Sequence, residues 1–281
     1  MLMKIKKQNN FEKFHPVDKF DSNKFKTSVF NGKILIPHGF ASLLSLIIEV
    51  EKYFLNFFNV SINEFVKDNS VILEEKEIIQ FQKSIKQSKL LYKNFKIFLK
   101  DLNFDIYDTY CDQMTIRFSP SIKERARGLL KPAKPHRDTW ASNFQHQINW
   151  WIPLHDLSKT NSIFFIPKYF TKRVKNNSKE WNFELFKKGN IKSSTPVCIQ
   201  NFNPVDYKTK KINFGNAFCF SGNHIHGSNL GKLRRLNIET RTLCKKDVMK
   251  FDLPKNVDND NPVKQGKWFK SLIDSNFYKN D

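Results

Sequence analysis

His136 and Asp138 stand two residues apart in "KPHRDTW", and His226 follows 90 residues later in "FSGNHIHGSN". On a strand, residues i and i+2 face the same side, so an imidazole and a carboxylate there offer their donor atoms to one point. A second imidazole from His226 completes a set of two nitrogens and one oxygen. Grouped on one face of a divalent ion, such a set leaves the opposite positions open for other ligands. His224 competes with His226, since at i−2 it can share the same face. After the turn "NLGK" comes "RRLNIETR", expected to run back antiparallel beside the His226 strand. Arg235 and Arg241 share a strand face, and Arg234 points away. Either of the first two can bring a planar guanidinium, the natural clamp for a carboxylate, toward the ion.

Between these groups lies "HQINWWIPL" (146–154). Gln147, Asn149 and Trp151 alternate onto one side, and two amides inside a dry core are costly without partners. That side reads as the wall of a polar cavity, with Trp150 turned into the core. Arg117, if it faces the same cavity, points to a substrate with a carboxylate or phosphate. Arg125 and Arg127 fall in a loop just before the ligands, a candidate lid or a solvated edge.

The order His-x-Asp, long gap, His, short turn, Arg is that of the Fe(II)/2-oxoglutarate-dependent oxygenases. The chain resembles most closely their phytanoyl-CoA dioxygenase-like branch, which includes ectoine hydroxylase. The segments that carry the likeness are "HRD", "WIPLHDLSKTNSIFFIP" and "FGNAFCFSGNHIHGSN", followed by Arg235. They cover roughly Asp112 to Leu243, and the first 110 residues bear no signature of the family. Three departures concern loops: Asn216 replaces the usual Asp after Gly215, Asn161-Ser162 replaces Asn-Gly, and "PKYF" stands where the family has Gly-Ser-His.

The resemblance implies a double-stranded β-helix (jelly-roll, cupin-like) core with Fe(II) held by His136, Asp138 and His226, and no catalytic residue beyond these ligands. It implies 2-oxoglutarate and O2 as co-substrates, with succinate formed and a C–H bond hydroxylated. Relatives that halogenate lack the carboxylate, so Asp138 favours hydroxylation. By the same likeness Arg235, Ser228, Trp151 and Ser119 attend 2-oxoglutarate, with Arg241 the alternative clamp. Gln113, Arg117 and Gln147 face the substrate.

These residues need a scaffold. With 281 residues, the chain suits one large β-rich domain with helical additions. Ala41–Phe58 has helical apolar spacing, and Val71–Leu102 reads as one or two helices with acids early and lysines late. From Ile106 the pattern turns to short β-like runs: 112–118, 146–154, 162–167, 195–200, 216–220 and 234–243. The expected class is therefore mainly β with N-terminal helices, as one domain. Residues 1–105 give helical support, 106–244 the β core with an insertion or lid at 168–212, and 245–281 a C-terminal extension. Met1–Pro37 reads as irregular, and Trp268, Phe269 and Phe277 as anchors of the tail.

The net charge of +21 raises a rival reading, a non-catalytic cupin-like basic protein that binds nucleic acid or anions. Against it, there are only eight arginines, none before residue 117, and the lysine-rich composition reads as solvated surface. The expected partner is a small, polar or anionic molecule, not nucleic acid. The four cysteines form no CxxC pair, which argues against a zinc module and for free thiols in the cytoplasm. Met1–Asn10 is polar and unlike a secretory leader. The apolar stretch from Phe40 to Val60 is interrupted by Glu49, Glu51 and Lys52, so no membrane span is expected. Oligomeric state has no signature.

Overall fold

The computed structural model describes residues 10–16, 20–122, 124 and 132–279. Arg125 and Arg127, the candidate lid residues, lie outside them.

Two sheets form the body. The larger has eight strands: β1 (Phe11–Phe14), β2 (Ile34–Pro37), β3 (Thr109–Cys111), β4 (Thr115–Ser119), β5 (Ile148–Pro153), β8 (Phe218–Ser221), β10 (Arg235–Cys244) and β11 (Lys270–Ser271). Their order is β1-β2-β8-β5-β10-β3-β11, with β4 also beside β10. The smaller sheet has three, β7 (Lys208–Thr209), β6 (Ile163–Phe165) and β9 (His226–Ser228), in that order. Helices α1 (Ser22–Phe30), α2 (Ala41–Phe58), α3 (Ile62–Lys67), α4 (Glu75–Gln87) and α5 (Lys89–Asp101) precede β3. Three short ones, α6 (Thr139–Ser142), α7 (Phe183–Lys187) and α8 (Lys245–Lys250), follow.

Strand alternation divides the larger sheet into two chemically distinct faces. One carries Leu35, Cys111, Ile116, Phe118, Ile148, Trp150, Ile152, Cys219, Leu236 and Ile238, all buried in the main core with side chains from α1 to α5. Trp150 is its keystone: Phe25 stacks on it, and Phe95, Phe98 and Phe104 meet it edge-on. Its indole N–H donates to Thr242 Oγ1 at 2.9 Å. Leu43, Leu46, Ile47, Val50 and Phe54 supply the buried stripe of α2. Removing an aromatic anchor of the Trp150 kind costs ~3–5 kcal/mol.

The opposite face meets the smaller sheet. At one end it is apolar, where Phe218 and Phe220 pack against Phe165 and Trp151 shares a cluster with Ile34, Ile36 and Ile163. Along β10 and its neighbours it becomes polar, carrying Arg117, Ser119, Asn149, Arg235, Asn237, Glu239 and Arg241 in register. Of the three residues expected to line a polar cavity, Asn149 lies in this strip and Trp151 at its apolar end.

Four expectations change. The segment before Pro37 is not irregular: β1 and β2 pair in parallel and β2 extends the larger sheet through β8. Residues 195–200 form no strand; Cys198 makes one isolated bridge to Asn176, because Pro196 removes a backbone donor. Asp138 is not on a strand: it has helical angles (φ −67°, ψ −27°) and opens α6. Finally, β10 does not pair with the His226 strand. β9 pairs with β6, whereas β10 pairs with β5, β4 and β3. The connection after Ser228 carries the chain from one sheet to the other, so Arg235 and His226 sit in different sheets.

Helix α8 is pinned to α1 by a buried ion pair, Lys26 Nζ to Asp247 at 2.8 Å. No helix among the described residues is long and apolar enough to cross a membrane.

Candidate metal and anion site

The two histidines meet through the backbone. His136 and His226 exchange both N–H···O=C bonds, each 3.0 Å, in an isolated antiparallel bridge. Residues opposed in this way project their side chains to the same side, and the imidazole centroids are 4.4 Å apart. Gly227 permits the approach: a Cβ there would come 2.5 Å from the Phe164 ring and 2.9 Å from the Ala133 carbonyl. The helical turn at Asp138 then swings its carboxylate back between the rings. Its Oδ1 is 3.5 Å from His136 Nε2 and its Oδ2 is 3.7 Å from His226 Nε2.

All three donor atoms lie within 4.8 Å of one another, a group that can hold a metal ion. An ion holding its ligands at about 2.1 Å separates neighbouring donors by roughly 3–3.5 Å, so shifts of a few tenths of an ångström close the set. The tautomers agree with this. His136 Nδ1 lies 2.7 Å from the Lys134 carbonyl and His226 Nδ1 3.1 Å from the His224 carbonyl. Carbonyls only accept, so the protons sit on Nδ1 and both Nε2 lone pairs face Asp138. Burial and the neighbouring His136 hold His226 down to about 4, keeping its imidazole neutral. Burial opposes ionisation of Asp138, but its contacts with His136 and His226 and the charge of Arg241 prevail and hold it well below the usual carboxylate range.

An ordered amide chain sets Asp138. Asn149 donates its Nδ2–H to Asp138 Oδ2, Gln147 donates to Asn149 Oδ1 at 3.0 Å, and Ser142 Oγ donates to Gln147 Oε1. Only one direction of this relay is possible, because its end is a carboxylate that accepts. Gly222 leaves it room, since a Cβ there would lie 2.5 Å from Gln147 Nε2.

The anion end lies further along the wall. Arg235 is 1% exposed, and its NH2 donates to Ser119 Oγ and Ser228 Oγ, each at 2.9 Å. NH1 donates to the Asn161 and Asn229 carbonyls. The guanidinium stands 5.5 Å from the Trp151 ring. Among the described residues no carboxylate pairs with it, and burial lowers it to about 10. Its Nε and the Trp151 Nε1 are buried donors without partners. Each such atom costs ~1–3 kcal/mol, and an unpaired buried cation more. An anion beside the guanidinium would offset the cost of burying its charge.

The four residues expected around the co-substrate, Arg235, Ser228, Trp151 and Ser119, thus converge. Arg241 is engaged elsewhere: it donates to Asp112 Oδ2 and lies 4.9 Å from the Trp268 ring. Arg234 pairs with Glu124 and caps carbonyls at the end of α3. His224 is buried, with Nε2 on the Gly32 carbonyl at 3.1 Å. Of the residues expected to face substrate, Gln147 contacts Asn149, Arg117 Nε is 3.8 Å from Glu239, and Gln113 is exposed.

Sequence reasoning missed what stands behind the ligands. Arg137, fully buried between them, donates to the carbonyls of Asn223, Tyr169 and Lys172, and its Nε is 3.3 Å from Asp258. Asp258 also accepts from Trp140 Nε1 at 2.7 Å and Val174 N at 3.0 Å. Asn256, Asn259 and Asn261 add bonds to the carbonyls of Asn223, Thr139 and Trp140. The C-terminal extension is therefore held behind the ligand loop by polar groups as well as by buried Phe269.

Neither a protein-family model nor a curated protein matches the sequence. Solved structures overlap it at low identity. EvdO2 from Micromonospora carbonacea var. aurantiaca is 11% identical over 82% of this chain and 94% of its own, with a TM-score of 0.49. The same protein complexed with 2-oxoglutarate gives 9%, 59% and 64%, with a TM-score of 0.40. EctD from S. alaskensis, with 2-oxoglutarate and 5-hydroxyectoine, gives 14%, 76% and 72%, with 0.44. Overlap of this degree leaves function to be argued from the site's own geometry.

Proposed function

We propose that the chain is a non-haem Fe(II)/2-oxoglutarate-dependent dioxygenase of the phytanoyl-CoA dioxygenase-like kind, with a double-stranded β-helix core, that hydroxylates a small polar or anionic molecule. The observation that carries the reading is Arg235: a buried guanidinium with no carboxylate partner among the described residues, between two serine hydroxyls, on the same sheet face as the Asn149–Asp138 contact. The donor set of His136, Asp138 and His226 suits Fe(II), which when bound supplies O2 chemistry coupled to decarboxylation of the keto acid. The chain's own part is positional. The backbone carbonyls of Lys134 and His224 keep both Nε2 atoms bare, and Asn149 fixes the carboxylate. Arg235, Ser119 and Ser228 take the distal carboxylate of 2-oxoglutarate, with the Trp151 indole N–H as a further donor. Phe165 and Phe220, buried with Phe218, pack against the His226 ring and would keep water from that side of a bound ion.

The test is titration of the Mn(II)-loaded protein with 2-oxoglutarate, followed by succinate release from the Fe(II) form in air. Arg235→Gln is expected to weaken 2-oxoglutarate binding at least thirtyfold, the ~2 kcal/mol of a charge-assisted contact. Its melting temperature should hold or rise, because an unpaired buried charge has been removed. Equal 2-oxoglutarate affinity in the variant, or no succinate from the wild-type protein, overturns the reading. The second outcome, combined with retained metal and anion binding, would favour the non-catalytic alternative.

A further inference from the structure

We propose that Glu239 and Asn237 form a recognition site for a protonated amine, so that the substrates are amino-bearing zwitterions whose acidic end falls to Arg117. This assigns a substrate class to the site proposed above and rests on that reading.

Register places the group. Along β10 the metal-facing side chains run Arg235, Asn237, Glu239, Arg241, each step ~7 Å from the last. Arg241 is opposite Asn149, which holds the metal-binding carboxylate, and Glu239 is opposite Trp151. Glu239 thus stands one step from the metal row, with Asn237 between it and the anion clamp. Its charge acts on both His226 and Arg235.

The hydrogen-bonding capacity at this point is unbalanced in one direction. Asn237 is fully buried and donates Nδ2–H to Glu239 Oε1 at 3.1 Å. Because a carboxylate only accepts, the amide orientation is forced, and Asn237 Oδ1 is left buried without a partner. Glu239 Oε2 has no hydrogen bond among the described residues. Two acceptors, one of them charged, call for a ligand rich in donors, and an ammonium offers three. The clamp shows the opposite imbalance, with spare donors at Arg235 Nε and Trp151 Nε1. An anionic co-substrate matches the first site and a cationic group the second.

Arg117 does not already satisfy Glu239. Its Nε approaches to 3.8 Å, and the two side chains are 26% and 38% exposed. A loose, half-open pair of opposite charges can be split by a zwitterion, its ammonium on Glu239 and its carboxylate on Arg117, at little cost in lost attraction.

The experiment measures succinate release by the Fe(II) protein at saturating 2-oxoglutarate, with three matched probe sets: the twenty α-amino acids, the corresponding acids without the amino group, and the corresponding amines without the carboxylate. The expected result is at least tenfold stimulation by members of the first set and little by the second. In Glu239→Gln the half-saturating concentration of the stimulating probe rises at least tenfold, with partial recovery in Glu239→Asp. The affinity of the variant for 2-oxoglutarate holds or tightens, since a negative charge near Arg235 is gone. Stimulation by the deaminated acids equal to that by the amino acids, no stimulation by any amino compound, or an unchanged response in Glu239→Gln overturns the proposal. Failure of the wild-type protein to bind 2-oxoglutarate at all, measured beforehand, instead overturns the reading on which it rests.

Discussion

Asp258→Asn separates a merely packed C-terminal segment from one that sets the metal site. Asp258 receives three donors, from Arg137, Trp140 and Val174. Arg137 precedes Asp138 and follows His136, so the ion pair is attached directly to the two-ligand turn. Asparagine keeps the shape but replaces one acceptor oxygen by a donor, which must face an N–H. With its oxygen where Oδ2 stood, asparagine keeps the Arg137 and Val174 contacts and loses the Trp140 bond; to that is added the cost of a guanidinium left without a counter-charge, ~3–5 kcal/mol of stability in all. For a chain of this size that lowers Tm by roughly 6–15 °C. If the bonds hold the turn in its metal-competent form, metal affinity falls a further 10- to 100-fold in the molecules that remain folded, ~1.4–2.7 kcal/mol. Competition between the protein and a chelator for Co(II), at a temperature where the variant is fully folded, reads this directly. A lowered Tm with unchanged Co(II) affinity would refute the reasoning, because it would show the turn keeping its shape without Asp258.

Two further outcomes follow from named contacts. Asn149→Ala removes the amide that donates to Asp138, and Co(II) affinity should drop ~10- to 100-fold, with Tm lowered as well because the buried Gln147 Nε2 loses its acceptor; a loss of affinity below threefold would show that the carboxylate is oriented by the histidines alone. Burial holds His155 at about 4, against ~6.5 in the unfolded chain. The unfolded state therefore binds more protons between these values, and stability falls as pH drops from ~6.5 toward 4, by at most ~1.4 kcal/mol per unit from this group. Urea unfolding of His155→Gln, with a chelator present, should show a shallower pH dependence over that window than the parent protein.

How legible the site was depends on what kind of interaction fixed each part. His136, Asp138 and His226 could be read because metal chemistry admits few residue types, and a histidine two residues from an aspartate is a narrow pattern. The geometry inferred for them was wrong all the same. The turn at Asp138, not a strand, brings the carboxylate between the rings, and helical φ and ψ over a few residues have no periodicity to detect. That Arg241 is paired and Arg235 is not turns on Asp112, 129 residues from Arg241, a contact that parity alone cannot see. Helix α2 was legible to its last residue because its apolar stripe is long and regular. Strands β1 and β2 were not: "FEKF" is too short, and "ILIP" lies inside a polar segment. The asparagines at 256, 259 and 261 were hidden for a related reason. Amide-to-carbonyl bonds stabilise irregular backbone, and a polar stretch that makes them looks in sequence like a solvated tail.

The two faces of the larger sheet also explain how so polar a strip can persist. Unpartnered donors at Arg235 and Trp151 and an unpartnered acceptor at Asn237 each oppose folding by ~1–3 kcal/mol. The opposing term sits on the same strands, one residue out of phase: Leu236 and Ile238 alternate with Arg235, Asn237 and Glu239 and are fully buried beneath the helices. A strand carrying both sets can hold a destabilised wall rigid, because its apolar half is locked to α1–α5 whatever the wall binds. Ligands that satisfy the wall then add their binding free energy to folding. The N-terminal helices are in this sense part of the candidate site: they pack on the opposite face of the sheet and offset the cost of keeping its polar wall preorganised.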